Sequence, residues 1–305
     1  RGETQSLGVA TLAAAEDSQR TETLWNHDIK ERFILHYNFP PFCVGEAKMQ
    51  RTPGRREIGH GALAKRALLP AFPSEEKFGY AVRLVGETLE SNGSSSMATV
   101  CSGTMAMLHA GIPLEQPVAG IAMGLIKSDD RYKILSDILG EEDHLGDMDF
   151  KVCGSHEGIT ALQMDIKIAG ITPEIMKEAL LQAKEARLHI LGKMAEEIST
   201  PRKISFGAPR MFKVKISPDK IRDLIGPSGK NIRRLTSETG AKVDVEESGV
   251  ITIVAPDITS AQAAKSLIRS FTATPKVGDV FLGTATRLFE FGAFIEIKPG
   301  VEGLC

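Results

Sequence analysis

The sequence is poor in the residue types that mark several protein classes. Its 305 residues include four cysteines, at positions 43, 101, 153 and 305, and no two of them form a Cys-x-x-Cys pair. This spacing excludes a disulfide scaffold and a cysteine-based zinc site, and it predicts reduced, mostly buried thiols. No apolar run approaches the ~18 residues of a membrane-spanning helix, so we expect no membrane partner.

The composition is that of a globular protein, but the charge is uneven. Hydrophobic residues make up 42% and charged residues 25%, which excludes a disordered chain and a collagen. Residues 1–200 hold 21 Lys and Arg against 28 Asp and Glu, whereas residues 201–305 hold 16 against 11. A basic C-terminal part favours binding to a polyanion. Both ends read as the inside of a domain, so we expect an excerpt of a longer protein.

The first 200 residues predict an α+β fold in which strands and helices mix without strict βαβ repetition. Helices are predicted over three segments, namely 58–69, 94–110 and 173–198. Buried strands are predicted in VAGIAMGLI and YKILSDIL, among others. The clearest alternation is in ITALQMDIKIAG, which has one apolar and one polar face. The polar face carries Gln163, Asp165 and Lys167.

Residues 211–272 follow the order βααββα, after a linker over 201–210. Between the two short helices lies the sequence IGPSG, which alone is also typical of an ordinary helix–turn–helix corner. Glycines there let a backbone approach a sugar–phosphate chain closely, and the next helix N-terminus faces the phosphate. The whole pattern resembles a KH domain, which implies that single-stranded RNA is held by this loop and the cations behind it. The residues concerned are Gly226, Pro227, Ser228, Gly229, Lys230 and Arg233.

Residues 273–305 resemble the opening strands of an S1-type OB barrel. Phe281, Phe291 and Phe294 are close enough in sequence to share one face, with Arg287 among them. Aromatic rings beside a cation suit stacked bases, although each phenylalanine is equally suited to a core.

Two further segments carry groups that suit phosphate and metal chemistry. Ser94, Ser95 and Ser96 begin a predicted helix, where hydroxyl and backbone donors meet the positive end of the helix dipole; simple N-capping is the alternative. The segment EEDHLGDMDFK brings Asp143, Asp147, Asp149 and Lys151 together. Carboxylates so close favour Mg²⁺ or Mn²⁺, unless the loop is merely solvated.

Six sequence blocks together resemble the polynucleotide phosphorylase family. The blocks are HYNFPP, RREIGHGALAKRAL, ESNGSSSMA, VAGIAMGL, LSDILGEEDHLGDMDFKV and ITALQMDIKI, and they occur in the family's order. The resemblance implies that residues 1–200 are the second of two RNase PH-like cores, with the first core absent and the first strand clipped before Arg1. It also implies a homotrimer, an RNA-degrading assembly and a bacterial-type cytoplasmic location, an organelle being the alternative.

The activity implied by the resemblance is phosphorolysis of RNA from its 3′ end, with inorganic phosphate as co-substrate. Ser94, Ser95 and Ser96 match the phosphate site, and Arg55 and Arg56 match arginines that hold phosphate or the scissile group. Asp143 and Asp149 match ligands of Mg²⁺ or Mn²⁺, beside Lys151. His60 is a candidate donor, although a buried core histidine fits equally well.

Two other functions stay open at this point. A non-catalytic RNA-binding scaffold would need only the KH part, and the intact arginine, serine and aspartate groups argue against it. A single-core tRNA-trimming phosphorylase would lack the KH and S1-type segments.

Overall fold

The computed structural model describes residues 3–14, 17–22, 29–49, 52–129, 131–205, 207–272, 278–298 and 301–305. The chain divides into two compact units, residues 1–205 and 206–305. Among the described helices, none combines the length and apolar character that crossing a lipid bilayer requires. The four cysteines are free thiols, and Cys43 and Cys153 are buried, as predicted.

The first unit contains two main sheets. Strands β1 (Gln5–Ala13), β4 (Phe33–Asn38) and β5 (Ala81–Glu90) form one sheet in the order β1-β5-β4, and β2 (Gln19–Thr21) pairs with β3 (Ile29–Glu31). Strands β6 (Ala119–Ser128), β7 (Arg131–Ser136), β8 (Met148–Gly154) and β9 (Ile159–Ile166) form an antiparallel sheet in the order β7-β6-β8-β9. The expected α+β class is therefore confirmed.

The described part of the first unit also contains four α-helices. They are α1 (Arg55–Leu68), α2 (Ser95–His109), α3 (Gly140–Leu145) and α4 (Pro173–Glu197). Helix α2 contacts β1 and β5 of one sheet and β6 and β8 of the other, so it lies between them. Helix α4 covers the second sheet through Ile175, Ala179 and Ala183, which join Phe150 in the core.

Two glycines on neighbouring strands let α2 approach its first sheet. Gly8 of β1 lies opposite Gly86 of β5. A Cβ at Gly8 would lie 2.5 Å from the carbonyl oxygen of Ser102, and a Cβ at Gly86 would lie 2.4 Å from the side chain of Thr99. Larger residues would push the helix away, because these distances are below van der Waals contact.

Three predicted boundaries or burials differ from the structure. Helix α1 begins at Arg55, three residues before the predicted start. The prediction missed residues 55–57 because they are polar and lie outside the apolar periodicity on which it was based. Strand β7 was predicted to be buried, but only Ile134 of its residues is, since β7 is an edge strand. On β9, Leu162 was expected on the apolar face but is 50% exposed, whereas Met164 and Ile166 contact the core as predicted.

The second unit begins with the predicted βααββα order. The elements are β10 (Arg210–Lys215), α5 (Ile221–Ile225), α6 (Lys230–Thr239), β11 (Lys242–Val245), β12 (Val250–Ala255) and α7 (Ile258–Thr272). The sheet order is β10-β12-β11, and Leu224, Leu235, Ile251 and Ile253 form its fully buried centre. A three-stranded antiparallel sheet follows, of β13 (Thr284–Phe289), β14 (Gly292–Lys298) and β15 (Val301–Leu304). Its assignment to an S1-type barrel, and the domain limits at 200, 210 and 272, stay predictions.

Replacing Phe150 by alanine tests the core beneath the second sheet. Phe150 is fully buried at the centre of β8, so Phe150→Ala should lower the free energy of unfolding by ~3–5 kcal/mol. Leu145→Ala is the control, because Leu145 is 79% exposed and its loss should change stability by less than ~0.5 kcal/mol. Urea denaturation measures both values, and similar losses in the two variants would contradict this core.

Candidate active site

A cavity of about 1350 Å³ lies in the first unit, between α1, α3 and the polar face of β8 and β9. A smaller recess shares its charged walls and extends them to the start of α2. Residues that are far apart in sequence therefore meet here. The charged and titratable residues that line the cavity are Tyr37, Glu46, Lys48, Arg56, Glu57, His60, Asp143, His144, Asp149, Lys151, Asp165 and Lys167. The recess adds Ser94 and Ser95.

Strand alternation places the one carboxylate and the lysine of β8 on the cavity side. Met148, Phe150 and Val152 face the core, so Asp149 and Lys151 face the cavity. Asp149 pairs in register with Asp165 of β9. The polar face of β9 thus completes the wall.

The carboxylates of this wall repel one another. Asp149 is only 6% exposed, and its pKa is raised, chiefly by burial and further by Asp143 and Asp165. Lys151 and Lys167 oppose this effect, and the Nζ of Lys151 forms an ion pair with Asp149 Oδ2 at 3.6 Å. A divalent cation held by Asp143 and Asp149 would relieve the repulsion between these carboxylates.

Asp143 and Asp149 are suitable ligands for a divalent ion. Mg²⁺ is commonly bound through one or two carboxylates, with water and substrate phosphates supplying the remaining oxygens. No group of three or more His, Cys, Asp or Glu side chains arranged around a metal position occurs among the described residues. Asp147, by contrast, accepts a hydrogen bond at 2.6 Å from the backbone N–H of Lys127. We therefore assign Asp147 a structural role.

The serines at the start of α2 differ in their access to the recess. Ser94 is the N-cap residue and lines the recess, as does Ser95. Ser96 is fully buried and lines neither cavity, and its Oγ lies 3.3 Å from Ser94 Oγ. The expected phosphate contact from the Ser96 hydroxyl is therefore not supported, because the helix turn directs this side chain into the protein.

Tyr37 links α2 to α1 at the base of the site. Its hydroxyl lies 2.6 Å from Ser95 Oγ and 3.4 Å from His60 Nδ1. Burial raises the pKa of Tyr37, although its hydrogen bond to Ser95 opposes this. Burial, together with the positive charges of Lys151 and Arg56, lowers the pKa of His60 to about 4. The imidazole is accordingly neutral near pH 7.

The two predicted arginines are not equivalent. Arg56 lines both the cavity and the recess. Both arginines are exposed, but Arg55 lines neither, since consecutive helix residues point about 100° apart. The structure thus supports only Arg56 as a ligand of an anion in this cavity.

Several site residues were missed by the sequence analysis. Tyr37 lies within HYNFPP, but nothing in its pattern distinguishes it from a core tyrosine. Gln163 and Asp165 lie on the polar face of β9 and Lys167 directly follows the strand; the sequence analysis named these residues without a role. Lys167 Nζ donates to the carbonyl oxygen of Asp143, which holds α3 beside β9.

The IGPSG loop of the second unit has the expected backbone. Gly226 and Gly229 have φ values of 70° and 76°, and Ser228 has 50°. A Cβ at Gly226 would lie 2.6 Å from the side chain of Asn231, whose Nδ2 donates to the carbonyl oxygen of Asp223 at 2.7 Å. The loop is thereby held between α5 and α6, with Pro227 and Ser228 exposed.

The cations behind this loop differ in their availability. Arg233 donates to the carbonyl oxygens of Ser228 and Gly229, so it supports the loop. Arg234 Nε pairs with Glu238 at 2.7 Å. Lys230 is exposed at the start of α6 and is the better placed of these cations to meet a phosphate.

An aromatic cluster lies on the last sheet. Phe289 stacks on Phe291 at 5.1 Å and meets Phe294 edge-on at 5.7 Å. The guanidinium of Arg287 lies 4.7 Å from the centre of the Phe294 ring. Phe291 is 72% exposed and Phe281, which precedes β13, is 38% exposed. Of the predicted phenylalanines, Phe294 lies against the cation Arg287, whereas Phe291 stacks on Phe289, which the sequence analysis did not name.

Comparisons with known proteins were made for sequence and for structure. Family models described as "3′ exoribonuclease family, domain 1", "3′ exoribonuclease family, domain 2" and "KH domain" match residues 1–113, 116–186 and 211–270. The solved structure of rice (Oryza sativa) Rrp46 is similar over 65% of this chain and 86% of that chain, with a TM-score of 0.51 and 14% identity. At this identity the likeness concerns the fold alone.

Curated relatives match the whole chain. Proteins named polyribonucleotide nucleotidyltransferase are 55% identical in Anaeromyxobacter sp. (strain K), 57% in Koribacter versatilis and 58% in Treponema denticola, and the match covers 100% of this chain in each. It covers 42%, 37% and 44% of those proteins, so the chain spans less than half the length of the curated relatives it matches. The chain belongs to the 3′ exoribonuclease family, with both of that family's domains preceding a KH domain.

Proposed function

We propose that this chain carries the active site of a phosphate-dependent 3′→5′ exoribonuclease. An oxygen of inorganic phosphate attacks the phosphorus of the 3′-terminal phosphodiester of RNA, and the bond to the 3′ oxygen of the preceding nucleotide breaks. A nucleoside 5′-diphosphate leaves, and the RNA is one nucleotide shorter. The observation that carries this proposal is the meeting of Arg56, Lys151, the α2 N-terminus and two aspartates in the cavity and its adjoining recess.

The start of α2 and Arg56 would bind the attacking phosphate. Helix N-termini favour anions because their first N–H groups lack helical partners. Ser94 and Ser95 add hydroxyl groups, and Tyr37 holds that of Ser95 at 2.6 Å. A guanidinium can contact two phosphate oxygens at once. The site therefore fixes the position of the nucleophile, which accounts for a large part of such catalysis.

The aspartate wall would receive the scissile phosphodiester. Asp143 and Asp149 would hold Mg²⁺ or Mn²⁺, and a bound ion would offset the charge developing on the leaving 3′ oxygen. Lys151 adds a positive charge on the same strand face. His60 is neutral, so it can donate a hydrogen bond to a phosphate oxygen without adding charge.

The second unit would hold the RNA that enters the site. Gly226–Gly229 and Lys230 suit the backbone of single-stranded RNA, and the exposed rings of Phe281 and Phe291 suit stacked bases. We infer a homotrimer, a place in an RNA-degrading assembly and a cytoplasmic location from the family resemblance, and the bacterial relatives support the last of these.

The two adjacent arginines offer a matched test of the phosphate site. Arg56→Gln should lower kcat/KM for phosphate by about 100-fold, because it removes a charged donor from the cavity. Arg55→Gln removes the same charge from an exposed position outside the cavity, and we expect a change of less than about three-fold. Nucleoside diphosphate release at varied phosphate measures both. Equal losses would contradict the assignment to Arg56.

Removing the charge of Asp149 separates catalysis from folding and RNA binding. Asp149→Asn should reduce phosphorolysis by more than about 100-fold and leave RNA binding by the KH unit unchanged in an anisotropy titration. Burial raises the pKa of Asp149, so its charge lowers stability near pH 7 and the thermal midpoint should not fall. Glu141→Gln, in an exposed residue of α3, is the control. Normal turnover by Asp149→Asn would overturn the metal assignment.

The protonation state of His60 gives a further test. The unfolded chain takes up this proton near pH 6.5 and the folded protein near pH 4, so His60 lowers stability progressively as the pH falls between these values. The ¹⁵N shifts of its imidazole should report a neutral ring down to about pH 5. A midpoint between pH 6 and 7 would contradict the neutral donor role.

A further inference from the structure

A second cavity of about 580 Å³ lies where the turn between β8 and β9 meets the first half of α4. It shares no lining residue with the active-site cavity. Its walls are mainly apolar and include Met176, Leu180 and two exposed hydrophobic side chains. Ile159 is 45% exposed and Leu181 is 55% exposed, so the cavity presents apolar surface to solvent.

A buried arginine forms the inner wall of this cavity. Arg187 is 3% exposed and lines the cavity. Its Nε donates to the carbonyl oxygen of Ser155 at 3.3 Å. Within the described part of the chain, its terminal nitrogens have neither a hydrogen-bond nor an ion-pair partner. Four N–H groups of a guanidinium are thus left without a protein acceptor.

No nearby carboxylate balances this charge among the described residues. Burial lowers the pKa of Arg187, and the one group that opposes this effect is the thiol of Cys153. Glu157 brings one negative charge to the same cavity, and its carboxylate accepts from Gln116 Nε2 at 3.3 Å rather than from Arg187. Lys177 and Lys184 are exposed on the cavity wall. The cavity therefore combines apolar walls with unbalanced positive charge.

We propose that this cavity binds a carboxylate carried on an apolar stem. The carboxylate would accept two parallel hydrogen bonds from the terminal nitrogens of Arg187, the geometry that a guanidinium offers a carboxylate. The stem would lie against Ile159, Leu180 and Leu181. A buried cation without a counter-ion is unfavourable, and this ligand supplies both the counter-ion and the apolar surface. The site is separate from the phosphorolysis proposed above.

Titration with hexanoate tests the site in the 305-residue chain. Saturable shifts are expected for the ¹³C-labelled methyl groups of Ile159, Leu180 and Leu181. Hexanol has a stem of the same length without the charge, and it should bind at least ten-fold more weakly. Equal affinity for hexanol and hexanoate, or no saturable shift with hexanoate, would overturn the proposal.

Variants identify the group that binds the carboxylate. Arg187→Met should weaken hexanoate binding at least ten-fold, whereas Arg131→Met, on the exposed edge strand β7, should leave it unchanged. Because a change at Arg187 can disturb folding, Ile159→Glu provides a second test that keeps the arginine. Its carboxylate on the cavity wall should compete with hexanoate and weaken binding by a similar factor. Unchanged binding in both Arg187→Met and Ile159→Glu would overturn the proposal.

The same titration distinguishes the source of the carboxylate. A soluble acid as natural ligand predicts hexanoate binding both in this chain and in a protein of the relatives' full length. An acidic side chain from the additional polypeptide predicts binding in this chain and exclusion from the longer protein. Both results support the carboxylate site, and failure in both proteins overturns it.

Discussion

The close approach of α2 to the sheets on either side of it is the constraint on which the candidate active site depends. Gly8 and Gly86 are paired across β1 and β5, and a side chain on either would meet α2 at about 2.5 Å. On its other side α2 contacts β6 and β8. The helix N-terminus is therefore brought beside Tyr37 of β4 and close to the charged face of β8. The glycines contribute no chemistry, but they determine where the serines lie.

The charges of the site influence one another because they line one cavity, in which Asp149 is buried. In such a setting, each charge changes the protonation of its neighbours more than it would at the surface. Lys151 and Arg56 help to keep His60 neutral, and Asp143 and Asp165 raise the pKa of Asp149. The cationic part suits phosphate, and the carboxylate part suits a divalent ion. One cavity can thus accept two anions that repel each other in solution.

The sequence predicted the elements well, because their hydrophobic periods are regular. Alternation predicted β9, and the β8–β9 register then explains why Asp165 joins Asp149. The sequence could not show which of Arg55 and Arg56 faces the cavity. The exposed first turn of α1 carries no apolar stripe that would define the direction in which each side chain points. It also could not show that Ser96 points inward. Both distinctions depend on rotation about a helix axis, which only tertiary packing determines.

Arg187 shows a different limit of sequence reasoning. It lies near the apolar stripe of α4, beside Ala183 and Leu191, and a cation in such a stripe is expected to extend to solvent. Instead its guanidinium is buried with a single 3.3 Å hydrogen bond. Burial of the Asp149 carboxylate also lowers the stability of the folded protein, but the ion pair with Lys151 at 3.6 Å offsets part of this loss. Both charges lower stability in the free protein, and the fold retains them where a bound ion or ligand of opposite charge would recover that loss.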